Sequence, residues 1–155
     1  MQDTELLQLF IDDIGHSRRL LELINAEFQA LSERDLPSLT KILDEKIPLL
    51  SLLDQHGVQR SKLLQAQQLP HDRAGLEAFA SRQANGAELL SHSDELGQLL
   101  ERCREANQRN GRLIRANQAS LQSVLGILRG GETPGLYDSR GSAARIGQQR
   151  PLSQA

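Results

Sequence analysis

A chain of 155 residues with 38% hydrophobic residues, 3% aromatics and no Trp has the size of one domain, with a core of mostly Leu, Ile and Ala. Its formal net charge of −2 is too small to suggest a nucleic-acid or membrane-surface partner. The single cysteine, Cys103, excludes an internal disulfide, and no apolar run reaches the roughly 18 residues of a membrane span.

The opening MQDTELLQLF lacks the basic region and apolar core of a secretory signal, so the expected setting is the cytoplasm. Few β-branched residues and many Leu, Gln, Glu, Arg and Ala favour helix over strand. Leu7, Phe10, Ile14, Leu21, Ile24, Phe28 and Leu31 alternate at steps of three and four, with Ser17 interrupting, and predict a helix over 3–33. Leu6, Ile11 and Leu20 widen that stripe, as when a helix meets two neighbours.

The next segment, Ser32-Glu33-Arg34-Asp35-Leu36-Pro37, is punctuation. Asp35 can cap a new helix, and Pro37 is tolerated in a first turn, where its missing N–H is not needed. So short a connection sends the second helix back antiparallel to the first. That helix carries Leu39, Ile42, Leu43, Ile47, Leu50, Leu53, Leu63 and Leu64, with Pro48 expected to kink it. Leu69-Pro70-His71-Asp72 ends it. Asp72 then caps a short helical stretch holding Leu76, Ala78, Phe79 and Ala80. An unbroken helix from there to Arg129 would span roughly 85 Å against roughly 45–50 Å for each of the first two. The mismatch predicts a bend or break near Asn85-Gly86.

Over 88–129 the apolar residues Leu96, Leu99, Cys103, Ala106, Leu113, Val124 and Ile127 form one column, with Leu100, Ile114, Leu121 and Leu128 beside it. Asparagines interrupt this seam at Asn107, Asn110 and Asn117. They either face water at a helix edge or line a groove that a partner's helix completes. Residues 131–155 lack periodicity and are rich in Gly, Ser, Gln and Arg, so a disordered tail is expected, with Leu136-Tyr137 as its apolar pair. The predicted fold is all-α: an antiparallel bundle of three long helices plus a short helical piece over 1–130, then the tail.

No catalytic constellation stands out. His16, His56, His71 and His92 are scattered, no two of them at the four-residue spacing that puts two ligands on one helix face. Asp12 and His16 share a face but read as a solvated pair, so no metal and no cofactor are expected. Ser91-His92-Ser93-Asp94 has the residue types of a triad, but neighbours on a helix point in different directions and cannot relay a proton. Cys103 on the apolar seam reads as a small buried hydrophobe.

Asn107-x2-Asn110-x2-Leu113-Ile114-x2-Asn117, followed by Gly-x-x-Thr-Pro-Gly-Leu-Tyr-Asp-x-x-Gly ending at Gly141, resembles the C-terminal half of FlgN-type flagellar export chaperones. The upstream half is similar too, with a Leu-rich first helix, Asp35 opening a second, and Lys46 before Leu49-Leu50. The resemblance implies a non-enzymatic cytoplasmic chaperone of the flagellar type III export apparatus. Its partners would be the hook-associated proteins FlgK and FlgL, with no nucleic acid and no membrane insertion. It places substrate binding on Asn107, Asn110, Leu113, Ile114, Asn117 and Leu121, and docking on the export gate at Leu136 and Tyr137. The rival readings are a coiled-coil scaffold or adaptor that associates with itself, and a helical-bundle enzyme or metal protein.

Overall fold

Apolar residues three and four apart lie on four helices in the computed structural model, which describes residues 2–128 and their side chains except those of Gln2, Asp3, Leu121, Val124, Ile127 and Leu128. The helices are α1 (Gln2–Glu33), α2 (Leu36–Ala66), α3 (Arg73–Ser81) and α4 (Gly86–Leu128), and the fold is all-α. The expected tail, 131–155, lies outside the described residues.

Each turn has a local cause. α1 ends with Arg34 in the left-handed region (φ 57°), while the Asp35 N–H donates to the Ala30 carbonyl at 2.9 Å, closing a Schellman-type cap. Asp35 also starts α2: its Oδ1 accepts from the Ser38 N–H at 3.2 Å and its Oδ2 from the Ser38 hydroxyl at 2.6 Å. One residue thus serves both ends, and the reversal takes two residues. α2 continues through Pro48 to Ala66. There Gln68 (φ 59°) repeats the device, with the Leu69 N–H donating to the Leu64 carbonyl at 3.0 Å. Asp72 caps α3 by accepting from the Gly75 N–H at 2.9 Å. The break expected at Asn85-Gly86 is present. A Cβ on Gly86 would sit 2.0 Å from the Ala80 carbonyl oxygen, so the close return of the chain there requires glycine.

α1 is the central helix, packed along α2 on one side and α4 on the other. Successive long helices are antiparallel, which makes α1 and α4 parallel. Cys103 meets Ser17 and Asn110 meets Ile24, both at a separation of 86 residues. One apolar cluster joins Leu6, Phe10 and Ile14 to Leu64, Leu76, Phe79, Leu96, Leu99 and Leu100. A second joins Leu20 and Ile24 to Cys103 and Ala106, with Leu49, Leu50 and Leu53 from α2 alongside.

Two expectations are corrected. On α1 the burial is centred nearer Leu6, Leu9, Leu20 and Leu23, while Ile11 is exposed, because α1 faces α2 and α4 at once. On α2, Leu64 is the buried side chain, whereas Leu43 and Ile47 (64% exposed) face outward, because α1 covers only one side of that helix.

Candidate partner-binding site

The site begins where the apolar core stops. Glu27, on α1, is a heptad-spaced continuation of Leu6, Asp13 and Leu20, so its carboxylate is carried into the bundle. Lys46 reaches it from α2, with Nζ 3.1 Å from Glu27 Oε2 and 3.2 Å from Asn107 Oδ1 on α4. Asn110, 1% exposed, donates through Nδ2 to the Ile24 carbonyl and to Glu27 Oε1, each at 2.8 Å. Arg109 then donates to Asn110 Oδ1 and Asn25 Oδ1, each at 3.1 Å, and stacks over Phe28. The result is a polar layer across all three long helices in which the buried charge is paired and hydrogen-bonded.

Asn110 therefore lies inside the bundle, while Asn107 is half-buried with its Oδ1 accepting from Lys46. The Asn110 amide is engaged within the chain and sets the register of α4 against α1. Beyond them the expected site residues behave differently. Leu113, Ile114 and Asn117 are half-buried. Every buried apolar side chain described on α4 lies at or before Ala106. The 86-residue offset puts Glu33, the end of α1, level with Ala119, so the helical residues 120–128 run about 14 Å past the α1–α2 turn. Leu121 belongs to that extension, and its side chain lies outside the description. Leu136 and Tyr137 lie outside the described residues.

Other candidates resolve locally. Asp94 pairs with Arg73 of α3 at 2.6 Å, and His92 Nδ1 lies 2.9 Å from the Glu88 carbonyl, so the Ser91–Asp94 run forms no relay. Cys103 is fully buried, and burial pushes its thiol up to about 11. Asp12, expected beside His16, is bonded to Gln8 instead. The residue that does meet the histidines is Asp13. Apolar periodicity does not single out Glu27, Asp13 or Arg60, although acids at 13 and 27, alternating with leucines at 6 and 20, are a readable signal.

The family described as FlgN protein matches residues 1–145. Comparison with curated proteins finds no match. Among solved structures, the chain is similar to a crystal structure described as a flagella synthesis protein FlgN from Pseudomonas aeruginosa. The two are 51% identical, the match covers 80% of this chain and 95% of that one, and the TM-score is 0.69. No described helix is long and apolar enough to cross a membrane.

Proposed function

The chain belongs to the FlgN family and has an FlgN-type part in flagellar assembly, and within that role we propose that it is a cytoplasmic export chaperone for FlgK and FlgL. It binds their terminal amphipathic helices along α4, covers apolar faces that would otherwise associate prematurely, and delivers them to the export gate. The observation that carries this reading is the end of the buried core at Ala106. Beyond it Leu113 and Ile114 stay half-open on a helix that outruns its neighbours. A partner helix laid there completes their burial, the helix-in-groove mode. Leu113, Ile114, Asn117 and Leu121 make the contact. Asn107 and Asn110 anchor the root of the surface, and Leu136 and Tyr137 dock on the gate.

The test is calorimetric titration of the purified chain with the terminal helices of each hook-associated protein. Leu113→Asp is expected to weaken binding by at least about 100-fold, about 2.7 kcal/mol, with circular dichroism unchanged. Unaltered affinity in a folded variant would remove this surface from consideration. Tyr137→Ala is expected to bind as the wild type does while secretion of the partners falls; equal secretion counts against the docking role.

Self-association is the second reading, favoured by the exposed apolar positions Leu36, Leu43, Ile47 and Val58 on α2. Light scattering separates the two. A tight dimer that excludes the partner helices supports the adaptor.

A further inference from the structure

We propose that Asp13, His16 and His56 form a binding site for a divalent cation of the zinc type that bridges α1 and α2. Asp13 and His16 are three residues apart on α1 and share a face, and His56 reaches them from α2. One ligand atom from each of the three lies within 4.8 Å of the others. Tetrahedral zinc with bonds of about 2.0–2.1 Å holds its ligand atoms about 3.4 Å apart, so rotamer-scale adjustment closes the set. Two imidazoles and one carboxylate, with a water in the fourth position, are a donor set that zinc accepts. Calcium and magnesium prefer all-oxygen shells, and copper(I) prefers sulfur.

The surroundings suit a ligand set. Asp13 is 0% exposed, and its Oδ2 is held by the Arg60 guanidinium, one turn beyond His56 on the same face of α2. That contact orients the carboxylate from behind and leaves Oδ1 aimed at the imidazoles, the outer-shell support that metal-binding carboxylates need. Oδ1 lies 2.6 Å from His56 Nδ1. A cation takes the place of the hydrogen between them, with His56 coordinating through Nδ1 and keeping its ring hydrogen on Nε2. His16 makes no hydrogen bond among the described residues, and its ring centroid is 5.8 Å from that of His56. Both rings are half-buried, which gives the ion a path from solvent. The site is remote from the α4 surface, so it neither needs nor tests the chaperone reading. Its effect is to clamp α2 onto α1.

The experiment is titration of the full chain with Co2+, read by the visible absorption of a four-coordinate site, followed by displacement with Zn2+. One saturable equivalent is expected, and Zn2+ should raise the melting temperature. His16→Ala is the deciding variant, since no hydrogen bond from His16 supports the fold. It should weaken binding at least about tenfold, and His56→Gln should do the same. His71→Ala and His92→Ala should bind as the wild type does. No saturable absorption, or absorption undiminished in folded His16→Ala, would overturn the site.

Discussion

Lys46 shows how one side chain holds three helices. It pairs with Glu27 on α1 and donates to Asn107 on α4 from its place on α2. Replacing both members of a buried ion pair with apolar residues is often neutral, whereas removing one strands the other. Lys46→Met is therefore expected to cost about 3 kcal/mol, read as a lower urea midpoint at unchanged slope. The double variant Lys46→Met with Glu27→Leu should recover part of that loss. A loss below about 1 kcal/mol in the single variant would mean that water solvates the layer. Asn110 has a related part. Two donors from one buried amide, one to a backbone carbonyl and one to Glu27, allow α4 only one register against α1. A leucine there would permit sliding.

At the scale of elements, the caps carry most of the direction of the chain. Asp35 closes α1 through its backbone and opens α2 through its side chain. The Ser38 hydroxyl and N–H hold its carboxyl below the usual carboxylate range. Glu45, bonded to Arg19, is lowered as well. A carboxyl depressed in the folded state contributes stability above its unfolded value, about 3.9 for Asp. That contribution is lost as pH falls through the lower folded value. The melting temperature should therefore drop on going from pH 5 to pH 3, and Asp35→Ala should show a lower melting temperature at pH 5 and a shallower drop. Parallel profiles for the two proteins would mean that the cap does not couple to folding. Gly86 has a different task, since its missing Cβ lets α4 start against the end of α3.

For the whole molecule, the central place of α1 ranks the helices by stability. α1 is covered on two sides, α4 is covered as far as the Asn107–Asn110 layer, and α2 is covered on one side. Local opening follows buried contact, so amide exchange should be slowest in the middle of α1 and faster in α2. It should be fastest on α4 beyond Ile114. Bound partner helix should slow exchange at 113–121 and leave the centre of α2 unchanged. Protection spread evenly along α4 in the free chain would contradict an open surface beyond the polar layer.

Three- and four-residue spacing, two acidic caps and a handful of Pro and Gly are enough to place each of the described helices, because those signals act within one or two turns of the chain. The asparagine pattern also marked where α4 changes character. What the two inner asparagines do was decided only by tertiary packing, because the partners of Asn110 lie more than eighty residues away on α1. Which face of α1 is buried depends likewise on its two long neighbours, and the exposure of Leu43 and Ile47 on α2 being covered on one side. The meeting of Asp13, His16 and His56 belongs to the same class. Spacing within one helix cannot reveal ligands that two antiparallel helices bring together, since the turn at Asp35 and the register of α1 against α2 determine which side chains face each other.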